Sequence, residues 1–266
     1  MDIEELIKEV EVLAIEAAGE KWCPNGGWQY PFDFGNNVIA RTYTDAQVRL
    51  HPWRKNVLMN NLNLIYKNRY DTISVLDLGS GEGAMTLALW NAGVRDITCV
   101  EAREVNIKKA KFVFNHFSVD ANIIHSSIDE FLEQNTKRFD LVIFMGILYH
   151  ILNPFDVMKK IANITKDNIV VETVVAKVDE VKFGNRNQYS SQKDGFFVRI
   201  DTTESQTAGL SNLELWPTMG ALDMLLEENN FTNLKLFELD EKAPFDYIDQ
   251  ERIFGIAQKI NVNSLK

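Results

Sequence analysis

Apolar residues Ile3, Leu6, Ile7, Val10, Leu13, Ala14 and Ala17 recur at steps of three and four. This predicts an amphipathic helix, with Gly19 standing where a C-cap would. Its apolar stripe packs either over the main body of the protein or against a second copy. Residues 20–43 lose all period. They mix turn formers with aromatic rings: Trp22, Pro24, Gly26, Gly27, Trp28, Tyr30, Pro31, Phe32, Phe34 and Gly35. A segment of that kind either lines a ligand pocket or is pinned to the core by its rings. Thr44 or Asp45 can cap a helix expected to reach about Tyr66, with a break near Pro52.

From residue 73 the pattern changes. Short apolar runs, long enough for a buried strand, alternate with helical stretches. Strands are predicted over 73–78, 97–101, 121–125, 139–144 and 169–173. Helices are predicted over 84–91, 104–117, 128–133 and 154–163. Residues 174–213 are polar and rich in Gly, Asn and Ser (Gly184, Asn185, Asn187, Ser190, Ser191, Gly195), and they break the alternation. They read as an insertion that folds over the carboxyl edge of the sheet. A helix over 217–229 and strands over 233–239 and 252–259 complete the chain. Such alternation means an α/β fold: a Rossmann-like, doubly wound sheet of seven strands, mostly parallel. The expected organisation is an N-terminal helical and aromatic lid over 1–70, then one domain over 71–266 carrying the cap insertion at about 174–213.

Composition narrows the class. The chain has 266 residues, long enough to bury a core without a disulfide or metal staple. Its 28 Lys and Arg stand against 38 Asp and Glu, a net charge of −10, which argues against a nucleic acid partner. Cys23 and Cys99 are far apart and form no CxxC pair, so a zinc ribbon or disulfide framework is not expected and a reducing cytoplasm is the default. The first residues, Met1-Asp2-Ile3-Glu4-Glu5, are acidic, the reverse of a signal peptide. No apolar run approaches the roughly 20 residues of a membrane span. No His/Cys/Asp cluster has metal-ligand spacing, so no metal is expected.

The chemistry concentrates at the ends of the predicted strands. The first strand leads into Gly79-Ser80-Gly81-Glu82-Gly83. Its third glycine falls one residue too early for the dinucleotide fingerprint. The acids Asp77 and Glu82 beside the glycines would repel a pyrophosphate but not a cationic or zwitterionic nucleoside. Glu101 ends the second strand, where a carboxylate can accept both hydrogens of a ribose diol. Met145-Gly146-Ile147-Leu148-Tyr149-His150 follows the fourth strand, at the edge where open sheets bind ligands.

Four stations in register, Val75–Gly83, Glu101, Ser126–Leu132 and Phe139–His150, resemble the class I S-adenosylmethionine (SAM) methyltransferases. The resemblance implies an antiparallel last strand. It implies that Asp77 and the backbone of Gly79, Ser80, Gly81 and Gly83 hold the methionine part of SAM. Glu101, with Ala102 beside it, would hold the ribose. Ser127 and Ile128 would lie against the adenine, and Met145 and Gly146 beneath the sulfonium. The product would be S-adenosylhomocysteine (SAH). A narrower likeness runs through Phe144–His150, Asn153-Pro154, Val171–Val174, Trp216-Pro217-Thr218 and Arg252. It resembles the branch that includes the tRNA wobble-uridine carboxymethyltransferases, which use carboxy-SAM. This chain departs from that branch around Val48–Lys55, where the branch's lysine falls on Trp53.

The expectation is therefore methyl transfer from ordinary SAM to a small-molecule acceptor, on oxygen, by a monomer or homodimer. Wobble-uridine modification of tRNA is the alternative. His150 is the first candidate base, because imidazole titrates near neutral pH. His51, flanked by Arg49, Trp53 and Arg54, is the second. Trp28, Tyr30, Arg49, Tyr149, Trp216 and Arg252 are the candidate acceptor contacts.

Overall fold

The structure, a computed structural model, describes residues 2–18, 25–177, 194–200 and 211–260. Within them the chain forms two compact units, broadly residues up to 135 and residues from 136 onward. The sheet strands lie in the order Asn122–His125, Asp96–Glu101, Ser74–Leu78, Phe139–Met145, Thr165–Val174, Arg252–Gln258 and Lys235–Leu236, with a separate two-stranded ribbon of Phe196–Ile200 and Leu213–Pro217. The doubly wound sheet of seven strands is thus as expected.

The first unit opens with α1 (Ile3–Glu16). Asp2 caps it by accepting the Glu5 N–H at 2.8 Å, and Leu6, Val10, Leu13 and Ala14 are its buried face. Ala17 occupies the C-cap position; Gly19 lies outside the described residues. Helix α2 (Asp45–Tyr66) runs unbroken through Pro52, which corrects the predicted break. Proline removes one backbone bond and costs about 3 kcal/mol. Val48, whose carbonyl loses its partner, is exposed to water, while Leu58 and Leu62 further along the helix are fully buried. Two buried leucines contribute roughly 3–6 kcal/mol and hold the helix together.

Next come β1 (Ser74–Leu78), α3 (Ala84–Ala92), β2 (Asp96–Glu101), α4 (Glu104–Phe117), β3 (Asn122–His125) and α5 (Ile128–Gln134). β1, β2 and β3 pair in parallel, with Asp77 opposite Cys99 and Glu101 opposite His125. Ile97, Cys99, Val100 and all of β1 are buried, as strands covered on both faces should be.

The second unit holds β4 (Phe139–Met145), one 3₁₀ turn (Leu148–His150), α6 (Pro154–Ile164) and β5 (Thr165–Val174). β5 starts as soon as α6 ends, four residues before the apolar run that predicted it. Within the insertion, residues 178–193 and 201–210 lie outside the described residues. The remainder contributes β6 (Phe196–Ile200), paired antiparallel with β7 (Leu213–Pro217). Pattern reading passed over both strands. The three last residues of β6 are exposed, so no alternation marks it. α7 (Met219–Glu227), β8 (Lys235–Leu236), α8 (Phe245–Ile248) and β9 (Arg252–Gln258) follow. β8 keeps only two residues of the strand predicted over 233–239. β9 lies antiparallel between β5 and β8, the expected antiparallel last strand. Among the described residues, no helix is long and apolar enough to cross a membrane. No group of three or more His, Cys, Asp or Glu among them could hold a metal ion.

Candidate active site

In the first unit, β1 delivers the chain into the glycine turn. Gly79, Gly81 and Gly83 all sit at left-handed φ (66°, 56° and 82°), where a Cβ is strained. The N–H groups of Gly79 and Ser80 both donate to the Val100 carbonyl, which ties the turn to β2. Gly83 answers to packing as well. A Cβ there would stand 2.6 Å from the Phe114 ring on α4. The Ser80 hydroxyl oxygen is buried and finds no hydrogen-bond partner among the described residues. A buried polar atom left open in a turn of this kind points to a ligand.

Glu101 is buried, and both carboxylate oxygens are pinned. Oε2 accepts the Gly81 N–H at 2.9 Å and Oε1 accepts the Arg103 N–H at 2.8 Å. A carboxylate has about four acceptor positions, so two remain for a ribose diol in a fixed orientation. The Ala102 carbonyl oxygen lies 3.0 Å from Nε2 of His125. Ser127 and Ile128 open α5 just beyond β3. The Ser127 hydroxyl serves a capping box with Glu130.

Asp77 lies beneath the turn and accepts the Thr86 hydroxyl at 2.8 Å. Burial pushes its carboxyl up to about 6, against the pull of the Thr86 bond and with the Glu101 charge adding to the rise. Burial also pushes the neighbouring Cys99 thiol up, and the Asp77 charge raises it further.

Glu82 corrects the sequence reading, which set it facing a ligand. It is fully buried and turned toward the N-terminal segment. Both of its oxygens accept the Gln29 N–H at 2.8 Å, and Oε2 takes the Tyr30 N–H at 3.1 Å. Lys109 Nζ lies 2.8 Å from Oε1 and also donates to the Gly27 carbonyl at 2.6 Å, itself fully buried. Burial raises the Glu82 carboxyl, opposed by Lys109 and the backbone amides.

The same segment settles the fate of its rings. Trp28 is fully buried and donates its indole N–H to the Val10 carbonyl at 3.0 Å, with Phe32, Phe34 and Phe112 around it. It is a core residue rather than the acceptor contact expected, because no face of it is left for a ligand. Backbone bonds from Trp28 to Arg41, Ala40 to Phe32 and Phe34 to Val38 knit residues 28–41 into a pinned loop. Tyr30 and His51 do come together, their ring centroids 4.3 Å apart. His51 is buried in α2; Arg49 on the same helix is exposed.

In the second unit, four candidates meet. The Tyr149 and His150 rings are 4.1 Å apart. His150 Nδ1 lies 3.5 Å from Glu214 Oε1, both side chains 9% exposed, and Glu214 Oε2 accepts the Trp216 indole N–H at 2.8 Å. Arg252 donates to the Tyr149 hydroxyl at 2.9 Å and to Glu172 Oε1 at 2.6 Å, which also accepts the Tyr247 hydroxyl at 2.7 Å. Burial works against the charge on Arg252, but the Glu172 carboxylate and the two tyrosines more than offset it and hold the guanidinium firmly protonated. Met145 ends β4, and Gly146 follows at φ 70° with its N–H on the Glu172 carbonyl at 2.8 Å.

Residues 50–236 match the family model of a methyltransferase domain. The chain belongs to that methyltransferase family. Its fold is that of the class I SAM-dependent enzymes. The methyltransferase is 24% identical over 189 residues to the tRNA U34 carboxymethyltransferase of Haemophilus influenzae (strain PittEE), covering 68% of this chain and 53% of that one. It thus spans about half the length of the curated relatives it matches. It is 23% identical over 138 residues to the ubiquinone biosynthesis O-methyltransferase of Maricaulis maris, covering 48% of this chain and 54% of the relative. Among solved structures, the N-terminal domain of EvdMO1 with SAH bound superposes at a TM-score of 0.68 and 20% identity, over 97% of this chain and 96% of that one. The magnesium protoporphyrin IX methyltransferase of Synechocystis PCC 6803 gives 0.55 at 12% identity, over 85% and 91%.

Sequence reasoning on this methyltransferase missed Glu172, Glu214, Tyr247, Lys109 and Gln29. Two signals were available. Glu172 is a lone acid inside the apolar run Ile169–Thr173, which demands a partner once buried. Glu214 and Trp216 stand two apart on one strand, hence on one face.

Proposed function

We propose that this methyltransferase uses SAM to methylate a hydroxyl oxygen of a small molecule, with His150 as the base. The first unit fits the cofactor. The left-handed glycines allow close backbone approach, the Ser80 hydroxyl is an open buried donor, and Glu101 presents a pinned carboxylate to a ribose. SAM, when bound, supplies a methyl group already activated on a sulfonium. What remains for the chain is to bind, align and take up a proton.

His150 carries the reading. Glu214 stands against its Nδ1, and the Trp216 indole holds the other carboxylate oxygen. A carboxylate there stabilises the imidazolium formed when the opposite nitrogen takes the proton of an acceptor hydroxyl. Two relatives lend support. One is by name an O-methyltransferase, and the N-terminal domain of EvdMO1 was also solved in the presence of SAH and D-fucose.

A second reading, modification of a tRNA wobble uridine, is supported by the tRNA U34 carboxymethyltransferase relatives; the net charge of −10 weighs against it. One screen separates the two. The protein is incubated with methyl-labelled SAM or with labelled carboxy-SAM, each against a panel of hydroxylated small molecules, sugars first, and against tRNA. Label in a small molecule, reduced about 10²- to 10⁴-fold in His150→Ala, is the expected result. Label in tRNA alone, or full turnover in the variant, overturns it.

A further inference from the structure

Gln29 stands in the irregular N-terminal segment and belongs to no motif. Its backbone N–H is held by both oxygens of Glu82, a residue of the glycine turn itself. Glu82 is held in turn by the buried Lys109, which also grips the Gly27 carbonyl. The segment therefore cannot shift against the turn without taking the Gln29 and Tyr30 amides from Glu82 and the Gly27 carbonyl from Lys109, both of them fully buried. Gln29 is presented to the turn as a fixed wall.

Its side chain lies on the turn. The amide oxygen sits 3.1 Å from where a Cβ on Gly81 would stand, so the glycine leaves room for this amide. Gly81 has its N–H committed to Glu101 on one side and the Gln29 amide on the other. The adjoining Ser80 hydroxyl is the buried polar atom without a partner. Two polar side chains thus border the one turn that its left-handed glycines open to a ligand.

We infer that Gln29 is a cofactor-binding residue, whose primary amide hydrogen-bonds the amino acid end of SAM and SAH. This rests on the reading that the Gly79–Gly83 turn and Glu101 hold that cofactor. With the ribose on Glu101, the part of the molecule that runs over Gly81 is the methionine chain. That chain ends in a carboxylate and an ammonium. An amide carries a donor and an acceptor and can serve either. It is also neutral, which matters beside Asp77 and Glu101, where a third acid would repel the carboxylate end.

Calorimetry with two commercial ligands tests this. SAH carries the amino acid; 5′-methylthioadenosine shares the nucleoside and thioether but lacks it. Gln29→Ala is expected to weaken SAH about three- to tenfold and to leave 5′-methylthioadenosine within about twofold. The inference is overturned if Gln29→Ala binds SAH as tightly as the wild type. It is also overturned if both ligands weaken in equal proportion, which would make Gln29 a structural prop. If the wild type binds neither ligand, the cofactor reading falls and this inference with it.

Discussion

Asp77 should cost this protein stability at neutral pH, and Asp77→Asn should recover part of it. The folded carboxyl titrates at about 6, against an ordinary 3.8, with burial as the main cause. A difference of about 2 units corresponds to roughly 3 kcal/mol. The sign follows from proton binding. The folded carboxyl holds its proton more tightly than the unfolded one. Between about pH 4 and pH 6 the folded state therefore carries more protons, and stability falls as pH rises through that window. Above about 6 the full loss is in place. Asn keeps an oxygen for the Thr86 hydroxyl but brings an amide N–H₂ that must find a partner, a charge of about 1 kcal/mol against the gain. Asp77→Asn is therefore expected to be about 1–3 kcal/mol more stable than the wild type at pH 7.5, and about 0–1 kcal/mol less stable at pH 4, where the gain has nearly gone and the amide cost stays. Urea unfolding followed at both pH values, with the slope m compared between the proteins, measures the difference. The reasoning is refuted if the gain is the same at pH 4 and pH 7.5, or if the variant is the weaker protein at pH 7.5.

Two further outcomes follow from the first unit. Glu101→Ala should weaken SAH about ten- to hundredfold by calorimetry, since a pinned buried carboxylate with charged hydrogen bonds is lost; unchanged affinity would remove Glu101 from the site. Lys109→Met should destabilise the fold by about 3–5 kcal/mol in urea, because Glu82 is left buried without its cation, while the double variant Glu82→Gln/Lys109→Met should recover much of that loss. A double variant no better than the single one would show that Lys109 acts through packing alone.

The alternation of apolar runs and helical stretches was enough to place most strands and helices from 74 to 174 within a residue or two. Buried parallel strands are covered on both faces and so show as unbroken apolar runs, which need no knowledge of their neighbours. The glycine turn and Glu101 were legible for a similar reason: each owes its character to backbone freedom or charge at the end of a strand. The ribbon of β6 and β7 was not legible. It is short and half-exposed, and its pairing is decided by the partner strand.

Side-chain direction and long-range pairing belonged to the tertiary structure. Glu82 reads in sequence as one more acid of the turn, yet the fold aims it at Gln29, 53 residues away, and at Lys109, 27 residues away. Trp28 reads as a pocket ring until the Val10 carbonyl takes its N–H. Glu172 finds Arg252 at a separation of 80 residues, and His150 finds Glu214 only once β7 is in place. Periodicity is a property of neighbours along the chain, so a sequence carries it whole. The partner of a buried charge is set by which elements pack against it, and the energy that selects that partner, desolvation offset by an opposite charge, exists only after water has been excluded.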